Sequence, residues 1–304
     1  DVVHITTPPH SHLSVGRMCL NANCHVFFEK PFTLDSKQAA ELVRLAVAKQ
    51  RKITVGHNNQ FNSVSMRMRR MVEQGFLGGP PVHMESVWCY DLGDKIFAAA
   101  LLGDKEHWVR SLPGRLLHNI ISHGIGRMAE FLDGDDADVL VHGFNSPLVR
   151  SLNETEIVDE LRVIIADRSN RTAYFTFSTQ IVPRIQQFRL YGTRNSILLD
   201  DVHQTLITVN SSSYKYYLNH FIPPFLYARQ YVANAKANIG QFLRRNFHFE
   251  GGRIRLIEAF YRAINEDTPL PLSYREILMT SRIMDKIFSQ LSQRSGEVAK
   301  ERAS

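Results

Sequence analysis

The sequence predicts an α/β protein built in two parts, a small parallel sheet followed by a larger, open and mainly antiparallel sheet covered by helices. Two observations predict this arrangement. Short apolar runs at residues 1–7, 24–29 and 52–56 are each followed by turn residues and then by a helical pattern of apolar positions. After residue 80 the pattern changes to runs with a two-residue period or with continuous apolar character. Alternating strands and helices favour a parallel sheet, whereas successive strand patterns favour an antiparallel one.

The clearest element of the first part is the helix after the second apolar run. Asp35 is a preferred capping residue, and Gln38 follows three positions later, as in a capping box. Apolar residues then recur at positions i, i+3, i+4 and i+7, namely Ala39, Leu42, Val43 and Ala46. We therefore expect this helix to follow Asp35 and to pack its apolar side on the parallel sheet.

A charge pair, Glu29-Lys30, precedes Pro31 where the second apolar run ends. Ligands of open α/β sheets bind beyond the carboxyl ends of the strands, so this pair lies at a predicted ligand edge. Proline restricts the preceding residue to extended geometry and cannot continue a strand, so Lys30 is presented at a fixed place. The alternative is an exposed charge pair that ends a strand and faces water.

The second part is predicted from four further runs and four helical patterns. The runs are "VHMESVWCY" (82–90), "DELRVIIAD" (159–167), "TAYFTFST" (172–179) and "RIQQFRLYG" (184–192). Helical patterns cover residues 62–75, 115–132, 251–266 and 273–291. We interpret the aromatic residues Phe175, Phe177, Phe188 and Tyr191 as core and cross-strand packing rather than as a binding site.

Composition bounds the class of protein. With 304 residues and 44% hydrophobic content, the chain can bury one or two cores of ordinary globular size. Its three cysteines, Cys19, Cys24 and Cys89, form no CxxC pair, which favours a reducing compartment, and we predict a cytoplasmic protein. The 36 Lys and Arg residues exceed the 30 Asp and Glu residues, and the net charge of +6 favours anionic partners such as phosphates, nucleotide sugars or acidic lipid.

Several segments, taken in order, resemble the Gfo/Idh/MocA oxidoreductases. The first are "DVVHITTPPHSH" (1–12), "HVFFEKPFTLD" (25–35), "VGHNNQF" (55–61) and "GFLGGPPVHMES" (75–86). The resemblance continues through residues 112–132, 188–200 and 249–273, and so covers nearly the whole chain. It implies that residues 1–62 are part of a Rossmann-type NAD(P)-binding domain and that residues 63–304 are a substrate and oligomerisation domain.

The resemblance implies hydride transfer between NAD or NADP and a carbinol or carbonyl carbon of a sugar or nucleotide sugar. Lys30 would lie beside the nicotinamide ribose and the reacting hydroxyl, with its pKa lowered by burial. His123 matches the histidine of the family's helical DxxxH motif, but Asn119 stands where the family has aspartate. Because an amide does not raise the histidine pKa, Asn119 is expected to hydrogen-bond a substrate group instead. We predict Lys30, His123 and Asn119 as catalytic, and the alternative for His123 is a helix histidine whose hydrogen bonds are satisfied.

The same resemblance predicts the cofactor-binding residues. They are Thr6, Thr7, Pro8, His12, Glu29, Lys30, Asn58 and Gln60. Asn58, Asn59 and Gln60 follow the third apolar run and are expected to face the cleft, although family members often carry an arginine in this turn. His118 and His123 have no third ligand at a metal-like spacing, so we predict no metal.

Members of the family begin with a strand, a GxGxxG turn and a helix, which hold the cofactor pyrophosphate. The chain begins after that part, and its nominal match at 124–129 has a helical period instead. We therefore expect residues 1–304 alone to bind dinucleotide weakly. An alternative function is a non-catalytic binding or oligomerisation protein derived from such an enzyme.

Residues 214–247 are longer and more aromatic than the connection expected of the family. Tyr, Phe and Leu residues are mixed there with Arg229, Lys236, Arg244 and Arg245. This mixture is typical of an interfacial element that contacts acidic lipid or a partner subunit, and a helical insertion packed on its own sheet is the alternative. We also expect a homo-oligomer through the second sheet. Nucleic acid is not an expected partner, since "RMRR" (67–70) and "FLRRNFHFEGGRIR" (242–255) match no known reader motif.

Overall fold

The computed structural model describes residues 1–90, 104–211, 214–244 and 251–303, with side chains to residue 293. Its first sheet has three parallel strands in the order β1-β2-β3, as predicted. They are β1 (Val2–Ile5), β2 (His25–Phe28) and β3 (Ile53–Val55). Because all three strands run the same way, the residues that follow them share one edge of the sheet.

Two helices connect these strands, α1 (His12–Asn21) and α2 (Ser36–Ala48). The predicted cap of α2 is confirmed, since the Asp35 carboxylate accepts a hydrogen bond from the Gln38 backbone amide at 2.8 Å. The four apolar residues predicted to face the sheet are buried. Gly16 lets α1 lie close to the sheet, because a Cβ at this position would be only 2.7 Å from the Phe28 ring.

The second sheet, as far as the described ranges reach, has seven strands in the order β10-β9-β8-β4-β7-β6-β5. They are β4 (His83–Cys89), β5 (Ala137–Phe144), β6 (Glu160–Asp167), β7 (Thr172–Ser178), β8 (Gln186–Tyr191), β9 (Asn195–Asp200) and β10 (Thr205–Asn210). Neighbouring strands are antiparallel except for β4 and β7, which confirms a mainly antiparallel sheet. Tyr191 stacks on its cross-strand partner His83, as predicted. The sequence patterns did not predict β5, although its alternating burial has the two-residue period.

Further helices follow in the second part of the chain. They are α3 (Ser63–Glu73), α4 (Arg115–Ile120), α5 (Ser122–Ala129), α6 (Pro147–Ser151), α7 (Ile222–Leu243), α8 (Gly251–Asn265) and α9 (Tyr274–Ala303). The prediction of one helix over 115–132 was wrong in one respect, because the chain turns at Ile121 and forms two helices. On the sheet face away from the core, Leu140, Ile164 and Tyr174 are exposed.

Two hydrophobic cores hold the fold together. The larger core lies between the second sheet and its helices, and it includes Phe175, Phe177 and Phe188 as predicted. The smaller core surrounds the parallel sheet and also takes in Leu256 and Phe260 from α8. A C-terminal helix therefore packs on the N-terminal sheet, and the domain boundary at residue 62 remains a prediction. No helix in the described part of the chain has both the length and the apolar character needed to cross a bilayer.

Two glycines let α5 lie close to its neighbours. A Cβ at Gly124 would be 2.4 Å from the Phe175 ring, and a Cβ at Gly126 would be 2.9 Å from Nδ1 of His57. Because both glycines lie inside a helix, the nominal glycine-rich match at 124–129 is a packing feature, as its helical period predicted.

His118 of α4 joins the loop after β2 to the C-terminal helix α9. Its Nε2 lies 3.1 Å from the carbonyl oxygen of Thr33, and its ring stacks on the Phe288 ring at 5.0 Å. Burial lowers the pKa of His118 to about 4, although its hydrogen bond with the Thr33 carbonyl opposes the shift. The folded protein therefore keeps a neutral imidazole at this contact.

We expect Gly124→Ala to lower the free energy of unfolding by about 1–3 kcal/mol, since the added methyl group overpacks against Phe175. Gly240→Ala is the matched control, because Gly240 is also helical and a Cβ there would meet nothing within 4 Å. The control should gain about 0.5–1 kcal/mol of stability from the higher helix propensity of alanine. Urea unfolding followed by circular dichroism measures both changes. Unchanged stability in Gly124→Ala would contradict the close packing.

The neutral His118 also predicts stability that depends on pH. Between about pH 6.5 and about pH 4, the unfolded chain binds a proton at this histidine that the folded chain does not, so stability falls as the pH falls. His118→Gln keeps an N–H group for Thr33 and removes the titration, so this variant should lose less stability on acidification than the parent protein. Urea unfolding at both ends of this pH window measures the difference, with the exposed His220→Gln as control. Equal losses in His118→Gln and the parent would show the expectation to be wrong.

Candidate active site

A cavity of about 770 Å³ opens where the residues after β2 and β3 face the second sheet. Its walls come from both halves of the chain, including α3, the end of β4, α4, α5, α7 and α8. Four of the residues predicted for the site, Lys30, Asn58, Asn119 and His123, line this cavity, together with Asn59. The fold thus brings together side chains that are far apart in the sequence.

Lys30 reaches from the end of β2 to the last turn of α4. Its Nζ donates a hydrogen bond to the Asn119 carbonyl oxygen at 2.9 Å and a second one to Asn119 Oδ1 at 3.3 Å. The last turn of a helix has unpaired carbonyl groups and a partial negative charge, so it suits an ammonium group. Burial lowers the pKa of Lys30, and the neighbouring Glu29 carboxylate opposes this shift. Glu29 Oε2 also accepts a hydrogen bond from the Lys30 backbone amide at 3.3 Å.

Asn119 has a different contact from the expected one. We expected its side chain to hydrogen-bond a substrate group, but both of its oxygens accept hydrogen bonds from Lys30. The reason is geometric, because Asn119 lies in the last turn of the helix whose end meets Lys30. A neutral amide positions the lysine without supplying the negative charge that would raise its pKa.

His123 lies in α5, with its ring between Trp88 and His57. The Trp88 ring stacks on it at 5.8 Å and 14°, and the His57 ring meets it edge-on at 6.1 Å. Burial lowers the pKa of His123 well below its ordinary value, and the charge on Lys30 lowers it further. The same two causes lower the pKa of His57 to about 4. Both rings are therefore neutral at neutral pH, and no group in the described ranges hydrogen-bonds the buried Nδ1 of His123.

The predicted cofactor residues after β1 do not line the cavity. Thr6, Thr7 and Pro8 are exposed where β1 ends. His12 is buried, and its Nδ1 and Nε2 lie 2.8 Å from the carbonyl oxygens of Phe32 and Thr7, respectively. His12 thus joins the loops that follow β1 and β2, and both of its nitrogens are occupied by backbone.

Gln60 was expected to face the cleft, and this expectation is wrong. Asn58 and Asn59 line the cavity, whereas Gln60 is buried and its Nε2 lies 3.3 Å from the Gly126 carbonyl oxygen and 3.2 Å from Glu130 Oε2. Residues 58–61 form one turn of 3-10 helix, in which successive side chains point about 120° apart. Neighbouring residues in such a turn therefore cannot all face one cleft.

The sequence reasoning missed several residues of the cavity wall. Four arginines line it, namely Arg67, Arg70, Arg184 and Arg255. Two of them belong to the "RMRR" stretch, and because Arg67 and Arg70 are three residues apart on α3 they lie on the same side of the helix. Arg69 between them pairs with Glu130 instead. The helical spacing of this stretch indicates that the two share one side of α3, and the fold turns that side toward the cavity.

Negative charge is scarce in the same wall. Among its described residues the only carboxylate is Asp201, which forms an ion pair with the buried Arg127. Arg255 donates hydrogen bonds to the Phe61 carbonyl oxygen at 3.1 Å and to Ser63 Oγ at 3.0 Å, both of them uncharged partners. The cavity wall therefore carries more positive than negative side chains. In the part of the chain that the structure describes, no three side chains of metal-ligand type come together.

A family model described as Gfo/Idh/MocA, "Oxidoreductase family, NAD-binding Rossmann fold", matches residues 1–57. The "Uncharacterized oxidoreductase YfiI" of Bacillus subtilis is 33% identical over 103 residues, which are 33% of this chain and 26% of that protein. The UDP-N-acetylglucosamine 3-dehydrogenase of Acidithiobacillus ferrooxidans is 31% identical over 86 residues, which are 28% of this chain and 26% of that protein. The matched part thus spans about a quarter of either relative.

The fold extends further than the sequence similarity. The crystal structure of the WlbA dehydrogenase from Bordetella pertussis, in complex with NADH and UDP-GlcNAcA, matches 97% of this chain and 78% of that chain. The TM-score is 0.70 and the identity is 14%, so this match concerns the fold alone. Residues 1–57 are thus similar to the NAD-binding part of the Gfo/Idh/MocA oxidoreductases, and the rest of the chain shares the fold of such a dehydrogenase.

Proposed function

We propose that the chain carries the active site of an NAD(P)-dependent oxidoreductase that transfers hydride to or from a carbinol or carbonyl carbon of a sugar or nucleotide sugar. One observation supports this most strongly. Lys30 and His123, both with lowered pKa values, line one cavity at the carboxyl ends of the parallel strands. Titratable groups with shifted pKa values in a cleft are typical of acid–base catalysis.

The residues around Lys30 suit the nicotinamide half of a dinucleotide. The hydroxyl groups of Thr6 and Thr7, the Lys30 ammonium and the Asn58 amide follow three neighbouring parallel strands. Such groups hydrogen-bond ribose oxygens and carboxamides, and the unpartnered Nδ1 of His123 is a further polar atom for a bound group. NAD or NADP, when bound here, supplies or accepts the hydride. We assign Thr6, Thr7, Lys30 and Asn58 to holding it.

The side chains of the cavity divide the proton chemistry between them. When an alcohol is oxidised, the hydride leaves with the electron pair of the C–H bond, and the hydroxyl proton goes to a base. The lowered pKa of Lys30 makes it a better proton acceptor at neutral pH than an exposed lysine, and in the reverse reaction its ammonium returns the proton. The neutral ring of His123 offers its unpartnered Nδ1 as a hydrogen-bonding atom for the same hydroxyl. Asn119 positions the Lys30 nitrogen, and Trp88 covers one face of the imidazole.

The excess of positive side chains in the cavity wall favours an anionic substrate. Arginine binds phosphate groups through paired, charge-assisted hydrogen bonds, and four arginines line this wall. The relative from A. ferrooxidans is named for UDP-N-acetylglucosamine, and the WlbA structure contains UDP-GlcNAcA. We therefore propose a nucleotide sugar, whose diphosphate would contact the arginines while its sugar lies at Lys30.

A homo-oligomer through the open face of the second sheet is a further part of the proposal. Leu140, Ile164 and Tyr174 are cross-strand neighbours in one row, and all three are exposed. A row of exposed apolar side chains is a surface that a second copy can cover. A purely non-catalytic binding role is the alternative. It is less well supported, because binding alone gives no reason for a buried lysine beside a neutral histidine.

Lys30→Ala should reduce kcat about 10²–10⁴-fold, the usual contribution of a positioned acid–base group, with a smaller change in cofactor affinity. Lys30→Arg should not restore turnover, because the guanidinium stays protonated and has a different shape. The matched control is Lys37→Ala, which removes an exposed lysine on α2. In the natural protein, steady-state kinetics with a nucleotide sugar measure the change in kcat. A fluorescence titration with NADH measures the change in cofactor affinity. Near-normal turnover in Lys30→Ala would mean that the charge pair at the strand end is structural.

The double variant Arg67→Gln, Arg70→Gln should raise KM for a nucleotide sugar roughly tenfold or more, because charge-assisted hydrogen bonds to phosphate are lost. Its kcat should change little, since these groups bind the substrate away from the reacting carbon. Arg44→Gln, which changes an exposed arginine on α2, is the control. An unaltered KM, or an equal effect on an uncharged sugar, would count against the diphosphate assignment.

A further inference from the structure

Helix α7 and the 3-10 turn before it (216–220) carry a continuous set of exposed apolar side chains. Along α7 these are Phe225, Ala228, Val232, Ala235, Ile239 and Phe242, which follow one another at spacings of three and four residues and so lie along one side of the helix. Phe225 is 73% exposed and Phe242 is 70% exposed. Tyr216, Tyr217 and Phe221 continue the exposed surface before the helix begins. We call these nine residues the outer face of α7.

The opposite side of α7 carries amides that bind the edge strand β10. Asn234 accepts a hydrogen bond from the Leu206 backbone amide at 3.3 Å and donates one to the Leu206 carbonyl oxygen at 3.0 Å. Gln230 makes the same pair of bonds with Thr208, at 2.8 Å and 3.0 Å. Two amides four residues apart on the helix, Gln230 and Asn234, thus hydrogen-bond the backbone of two strand residues that are two positions apart, Thr208 and Leu206.

These four hydrogen bonds fix the rotation of α7 about its own axis. A helix at a protein surface usually turns its apolar side inward and its polar side to water. Here the amides face the protein, and the apolar side cannot turn inward without leaving the backbone groups of Leu206 and Thr208 unpaired. The outer face is therefore a fixed part of the fold, and it is suited to contact an apolar environment outside the chain.

The charged side chains that the helix and the turn before it carry are all positive. Between Asp201 and Glu250 the sequence contains no acidic residue. Lys215, Arg229 and Lys236 are exposed on the turn and the helix, and none of them has a carboxylate within ion-pair distance among the described residues. Two outer faces packed against each other would bring these like charges together, whereas anionic lipid headgroups would neutralise them.

We propose that the outer face of α7 docks on the surface of a bilayer that contains anionic phospholipid, with the helix lying in the plane of the interface. Phenylalanine, isoleucine and valine side chains enter the boundary of the acyl chains, tyrosines lie at the level of the headgroups, and the basic residues contact phosphate. The inner side of the same helix lines the cavity through Asn234, Ala237, Asn238 and Gln241. Docking therefore brings the cavity wall to the membrane surface, and the inference does not depend on the proposed catalytic activity.

Co-sedimentation of the full chain with two kinds of vesicle tests this proposal. We expect binding to vesicles of equal parts phosphatidylcholine and phosphatidylglycerol, release at high salt, and little binding to phosphatidylcholine alone. Phe225→Ser with Phe242→Ser should weaken binding roughly tenfold or more, because apolar insertion is lost. Arg229→Gln with Lys236→Gln should also weaken it and should reduce its salt dependence.

Two control variants separate this surface from general stickiness. Met18→Ser with Val47→Ser removes exposed apolar side chains from α1 and α2, and Lys37→Gln with Arg44→Gln removes exposed charges from α2. Both should bind the vesicles like the parent chain, and circular dichroism checks that every variant is folded. Equal binding to both kinds of vesicle, or unchanged binding by the Phe225 and Phe242 variant, would overturn the proposal. So would light scattering that shows a dimer lost in that variant, combined with no vesicle binding by the parent, since the outer face would then be an interface between two copies.

Discussion

The contact between the Lys30 ammonium and the end of α4 is the interaction on which the cavity depends. It joins the carboxyl end of the central parallel strand to a helix of the second part of the fold. Its cation lies close enough to His123 and His57 to lower the pKa of both imidazoles. Burial is the main cause of the neutral state of both rings, and the same ammonium group that contacts α4 adds to it.

The Lys30 ammonium affects the pKa of the two histidines because the surrounding packing excludes water. Gly126 lets α5 pack against the His57 ring. Trp88 stacks on the ring of His123, the second histidine beside Lys30. In such a site the free energy of an ionised form depends on the few charges nearby. The nearby cation favours the neutral form of both imidazoles. The same residues that give α5 its close packing therefore also set its acid–base chemistry.

Positive charge has two different roles on the two sides of α7. On its inner side the helix faces a cavity lined by four arginines, and on its outer side lysine and arginine flank an apolar face. The amides that bind Leu206 and Thr208 hold the helix between these surfaces. A substrate with a phosphate group would meet positive charge inside the cavity, and a phospholipid surface would meet it outside. Both proposals therefore involve a phosphate-bearing ligand, and α7 lies between the two surfaces concerned.

The sequence by itself determined the local elements of this protein. The three parallel strands, the Asp35 cap, the Glu29-Lys30 position and the helical nature of residues 124–129 depend on neighbours a few residues away, and each has a periodic or capping signal. Only the tertiary structure decided that Lys30 meets Asn119, that Gln60 turns away from the cleft and that two arginines of "RMRR" line the cavity. These contacts join residues that are far apart in the chain. Their geometry depends on how helices pack across two sheets, and no local pattern in the sequence encodes that distance or direction.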